Sequence, residues 1–160
     1  RIAGSDSWKY KTYEFLDNFD QKNLVEIGER GMLEDKEMVR MFLEKGTNFY
    51  PMWKIRSELG IDGLIKELHH AYDGTEAVYC HWDMDILGGA GPAPGDILGE
   101  LAEPYGMSDY EIIRLAHEVG KRGISALSFI CIPPGSAVTY RVLVYVIMFM
   151  CAGLAIHRQK

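Results

Sequence analysis

Short apolar runs alternate with segments of helical periodicity along most of this chain, and no other feature limits its fold as sharply. Residues 23–27 (Asn-Leu-Val-Glu-Ile) read as a short strand closed by Gly28. Over 34–45, Met38, Val39, Met41, Phe42 and Leu43 recur among charges, which predicts a helix with Gly46 as its C-cap. Residues 47–50 form a second predicted strand, stopped by Pro51. A helix over 62–72 places Leu64, Ile65 and Leu68 on one face, and Asp73-Gly74 turns the chain. A third strand spans 77–82, and a long Gly/Pro loop runs from about 86 to 106. Ser108, with Glu111 three residues on, is a capping-box start for a helix to about 119. Residues 124–132 make a fourth strand, ended by Pro133-Pro134, and an apolar helix follows. Strand–helix alternation predicts βαβ units, hence an α/β fold: a three-layer αβα arrangement around a mostly parallel sheet. The strands are largely apolar, as burial on both faces requires. In such sheets ligands bind beyond the C-terminal ends of the strands.

The chain of 160 residues is 48% hydrophobic and 25% charged, values that favour one globular domain over 1–160 and exclude a largely disordered one. A formal charge of −6 without a single-sign block excludes a basic nucleic-acid-binding face. Cys80, Cys131 and Cys151 are odd in number and sit in apolar surroundings, which predicts a reducing, cytoplasmic location rather than a disulfide framework. Residues 1–6 contain no apolar h-region, so no signal peptide is expected. The unbroken run 142–156 (VLVYVIMFMCAGLAI) is shorter than the roughly 18–20 residues that cross a bilayer, and Arg141 precedes it. It reads as a core helix, with no membrane partner. A membrane anchor is the competing reading.

His81-Trp82-Asp83-Met84-Asp85 lies where the third strand runs out into the Gly/Pro loop. Side chains two apart on a strand share a side, so Asp83 and Asp85 aim into one crevice. Crowded carboxylates repel unless a proton or cation separates them, and hard divalent metals prefer carboxylate oxygen. The pair is therefore a candidate metal site, and an Asp-rich turn start bonded to its own backbone is the competing reading. Other candidates read as structural. Adjacent His69 and His70 diverge on a helix and suit its C-terminal end. His117 reads as a surface or interface residue. Cys131 could line the pocket, but a small buried hydrophobe is the reading preferred here. Met148-Phe149-Met150 has core spacing, and Asp96, Glu100 and Glu103 read as solvated. The Gly/Pro loop hangs over the strand ends and is expected to act as a lid or specificity element.

The segment VYCHWDMDILGGAGPAPGDILGELAEPYGMSDYE resembles the second metal-binding motif of the ureohydrolase family, the arginases and agmatinases. There a strand ends in S-x-D-x-D, followed by a Pro/Gly loop, a turn and a helix with an early Glu. Asp83 and Asp85 match the aspartates, Pro94-Gly95 the loop, and Gly106-Met107-Ser108 with Glu111 the turn and helix start. Asn23-Leu24-Val25-Glu26-Ile27-Gly28-Glu29-Arg30-Gly31 is similar to the family's N-x-V-x-I-G-x-R-G strand, and Pro133-Pro134 before a long apolar helix resembles its closing unit. The resemblance implies an arginase-like fold of which this chain is the C-terminal half. It implies two divalent metal ions, manganese first and nickel in some members, with Asp83 bridging both and Asp85 binding one. A hydroxide shared by the metals would attack a small guanidino compound, agmatine-like or guanidine itself, releasing urea and an amine. A homo-oligomer, trimer or hexamer, is the implied assembly.

The departures are specific. No G-G-x-H or D-x-H-x-D ligand motif occurs in these residues. His81 replaces the usual Ser; it is a candidate catalytic residue, as an imidazole orienting Asp83 or an extra ligand, with a packed histidine as the competing reading. Gly88-Gly89 stands in place of a third Asp-Pro, Ile130 where many members carry a substrate-facing Glu, and Ser5-Asp6-Ser7-Trp8 near a usual His-Gly-Thr run. The alternative function is a catalytically incomplete chain acting as a structural or assembly subunit.

Overall fold

The computed structural model describes residues 16–30, 36–88, 105–132, 135 and 137–159. Two βαβ units organise them. In the first, β1 (Val25–Ile27) runs parallel to β2 (Asn48–Tyr50), joined through helix α1 (Lys36–Glu44), with Glu26 opposite Phe49. In the second, β3 (Tyr79–Asp83) runs parallel to β4 (Ala126–Ile130), joined through helix α3 (Asp109–Arg122), with His81 opposite Ser128 and Asp83 opposite Ile130. Between the units the chain is helical, and α2 (Gly60–Glu67) is its α-helical centre. The final helix, α4, spans Ala137–His157.

The sequence reading of a parallel α/β fold holds, with its strands trimmed at their ends. Among the described residues the strands form two separate parallel pairs rather than one continuous sheet. The predicted start of α1 and the residues Pro133-Pro134, Pro94-Gly95, Asp96, Glu100, Glu103 and Ser5-Asp6-Ser7-Trp8 lie outside the described residues, as does most of the Gly/Pro loop. Gly46 is the C-terminal stop expected of it: its φ of +89° suits a residue without Cβ, and its N–H reaches the Leu43 carbonyl. The helix predicted over 62–72 starts earlier in the structure. Helix begins at Met52, widens to a π turn over Ile55–Leu59, passes through α2 and tightens to a 3-10 turn over Leu68–Ala71.

One core joins both units. Tyr50, Met52, Ile55, Leu64 and Leu68 from the first pack in the same cluster as Trp82, Met84, Ile112 and Leu115 from the second. On β3–β4 the pleat sorts the side chains. Trp82 is buried, and Cys80 and Phe129 pack against the core. Tyr79, His81 and Asp83 lie on the opposite face beside Ala126, Ser128 and Ile130. Burial on both faces was expected, yet Tyr79 is 57% and Ile130 40% exposed on that second face.

Helix α4 packs along α3 and buries Thr139, Val142, Val146, Met150 and Gly153, with Gly153 close to the His117 and Lys121 backbone and Gly120 close to the Met150 carbonyl. Its other side, with Val144, Tyr145, Ile147, Met148 and Phe149, is exposed in this chain. The helix is 21 residues long and apolar enough to cross a membrane by length and composition. One stripe of it packs on α3, and 28% of its most apolar stretch is buried in this chain, so both readings of the run stand.

Candidate metal centre

Strand β3 ends at Asp83, and the chain tightens at once into a 3-10 turn, Met84–Ile86. Asp83 closes that turn: its Oδ1 accepts the Asp85 N–H at 3.3 Å. The turn-bonding reading of the pair is therefore part of the structure. It does not displace the other reading, because the same turn folds Asp85 back beside Asp83. One ligand atom from each of Asp83, Asp85 and Cys131 lies within 4.8 Å of the others, all three half-buried. Among the described residues this is the one group of three or more metal-binding side chains so gathered.

Cys131 corrects the sequence reading. It is not a hydrophobe turned into the core; it follows β4 at φ +53° and places its sulfur beside both carboxylates. A positive φ at a non-glycine residue is strained backbone and has to be held by its surroundings. Burial first, then a hydrogen bond to the Asp83 carboxylate and the charges of Asp83 and Asp85, push the thiol up to about 12. Nothing local in Ser-Phe-Ile-Cys-Ile-Pro-Pro announces this contact. The usable signal is positional, since Cys131 follows the strand that pairs with the Asp-bearing one.

Arg30 is the second residue whose part was not read. Its guanidinium donates to the Asp85 carbonyl at 2.6 Å and to the Ile86 carbonyl at 3.3 Å, tying the end of β1 to the turn that carries the aspartates. Gly28 makes the approach possible. At φ +94° it lies so close to Ile86 that an added Cβ would fall 2.6 Å from Cδ1. The Ile-Gly-x-Arg run thus has a physical meaning, a glycine for close approach and an arginine to clamp the turn.

The loop expected to cover the site leaves it and returns at a pinched base. Gly88 N–H donates to Met107 O at 2.9 Å and Met107 N–H to Ile86 O at 2.8 Å. A Cβ on Gly106 would meet the Ile86 carbonyl oxygen at 2.3 Å. Behind this base the predicted capping box is present, with Ser108 and Glu111 bonding reciprocally. Arg56 braces it, donating to Glu111 and to the Gly106 carbonyl. Burial works against the Glu111 charge, but bonds from Ser108 and Arg56 outweigh it and hold the carboxyl below its ordinary value.

His81 lies on the same strand face as Asp83. Its Nδ1 is 2.6 Å from Ser128 Oγ, which is in turn 2.5 Å from the Tyr79 hydroxyl. The other histidines stand apart from the site. His69 and His70 face Asp73 and Glu67, at 3.7 and 3.5 Å. His117 lies beside Glu118 and edge-on to Phe149.

Two carboxylate oxygens and a sulfur converging at strand ends fit a divalent transition-metal ion. Asp83 and Asp85 would hold it from β3 and its turn, and Cys131 from the end of β4.

No family model and no curated relative matches the sequence. Solved structures do. Formimidoylglutamase from Bacillus subtilis superposes with a TM-score of 0.81 at 19% identity, over 97% of this chain and 49% of that one. The fold is arginase-like. Arginase from Bacillus subtilis matches with a TM-score of 0.67 at 24% identity, over 81% of this chain and 44% of that one. Trypanosoma cruzi formiminoglutamase, crystallised with manganese, gives 0.71 at 18% identity, over 91% of this chain and 49% of that one. The chain therefore spans about half the length of these arginase-like proteins, as the sequence resemblance implied.

Proposed function

We propose that this chain is the metal-bearing C-terminal half of a ureohydrolase-type amidinohydrolase, which cleaves the C–N bond of a guanidino or formimino compound with water. The observation that carries the reading is the convergence of Asp83 and Asp85 at the tip of a parallel strand, within an arginase-like fold. A solved neighbour of that fold holds manganese, which makes two manganese ions the leading cofactor, with nickel as the alternative. Such ions supply Lewis acidity and an activated water at neutral pH. The remaining work falls to side chains. Asp83 and Asp85 would hold the ions, and Arg30 fixes the turn that presents them. His81, on the same strand face as Asp83, is proposed as the imidazole that orients Asp83. Its bonds to Ser128 and Tyr79 would set the tautomer. The chain's formal charge of −6 fits the attraction of a cationic amidinium. A cytoplasmic homo-oligomer, trimer or hexamer, remains the proposed assembly, acting on small molecules without nucleic-acid or membrane partners.

A second reading has its own support. The described residues offer three ligand groups, and the chain spans half of its neighbours' length. A chain that kept the fold and lacked the other ligands would serve as an assembly subunit. One experiment separates the two. The full chain, supplied with manganese, is assayed for urea, ammonia or formamide release over a panel of guanidino and formimino compounds. Release that is lost in Asp83→Asn supports the hydrolase; a metal-free, inactive full chain supports the subunit.

A further inference from the structure

Cys131 sits where a centre built of carboxylates alone would need no sulfur. Its thiol, Asp83 and Asp85 bring three ligand atoms within 4.8 Å of one another from the ends of two paired strands. The carboxylates are separated by one residue on a single turn, whereas Cys131 enters from the neighbouring strand and closes the third side. We infer that Cys131 supplies a sulfur ligand to the ion held by Asp83 and Asp85, and so raises the centre's preference for thiophilic divalent ions over manganese. The inference rests on the reading of Asp83 and Asp85 as metal ligands and extends it to the choice of metal. Thiolate sulfur is a soft donor that selects zinc, cobalt or cadmium, while carboxylate oxygen suits manganese. On binding, the thiol proton leaves to solvent and the sulfur takes its place toward the cation in the same position. The half-buried setting keeps the sulfur accessible to an incoming ion.

The test uses the metal-free full chain, reduced with a non-chelating phosphine and titrated with cobalt(II) and, separately, cadmium(II). The expected result is a thiolate-to-metal charge-transfer absorption that grows with bound metal. Cys131→Ser should lose that band while retaining the visible absorption of bound cobalt, and Cys80→Ser and Cys151→Ser should keep both. In competition, wild type should favour zinc over manganese more strongly than Cys131→Ser does. Bound metal without the band, or a band that persists in Cys131→Ser, overturns the sulfur assignment and leaves the carboxylate site standing. No uptake of either ion by wild type overturns both.

Discussion

Arg30 and Gly28 act on the aspartate pair from a different strand, so their substitution separates positioning from ligation. Arg30→Ala frees the carbonyls of Asp85 and Ile86 from their clamp. Metal affinity should fall by about 10–100-fold, as loss of a group that orients ligands commonly does, with little change in fold by circular dichroism. Cys80 gives a pH prediction. Burial raises its thiol from 9.0 to about 11. Between those values the unfolded chain releases this proton and the folded chain keeps it, so stability falls as pH rises. Chemical denaturation from pH 8 to 11 should show a loss of about 2 kcal/mol that Cys80→Ala lacks. The aspartates were legible because their signal is local, two carboxylates at period two where an apolar run ends. Arg30 was not, and Cys131 only as the less favoured pocket reading, because each meets the site only after strands distant in sequence have paired.

At the scale of elements, the contact between α3 and α4 depends on two glycines. A Cβ on Gly153 would lie 2.3 Å from the His117 carbonyl oxygen, and one on Gly120 would lie 2.3 Å from that of Met150. Backbone atoms cannot rotate away, so the helices would have to part. Gly153→Ala should cost about 2–3 kcal/mol in denaturant unfolding. Ser108→Ala, which removes the capping box of α3, should cost about 1 kcal/mol by the same measurement. Both α3 and its cap were readable in Ser-Asp-Tyr-Glu, because a cap is a matter of a few neighbouring residues. The helical stretch from Met52 was passed over. It begins straight after the extended Pro51, widens to a π turn over Ile55–Leu59 and breaks again at Gly60, φ +60°. Such a segment weakens the periodic signal that marked α3.

At the scale of the molecule, the described residues leave two surfaces open, the Tyr79–Ile130 face of β3–β4 and the outward side of α4. The apolar strands and the apolar helix were visible in the sequence; which of their faces stay uncovered was not, because that depends on what packs over them. If the site binds manganese in the native state only, the ion must also stabilise the fold by mass action. At about a hundredfold excess over Kd the gain is about 2.7 kcal/mol. Thermal unfolding of the full chain should then shift upward by several degrees with manganese and return with chelator. The most direct test of the central claim is metal content after equilibrium dialysis of the full chain against manganese, with the Asp83→Asn, Asp85→Asn double variant alongside. Wild type should retain stoichiometric metal and the double variant should lose most of it. Equal metal in the two proteins would contradict a centre built on these carboxylates.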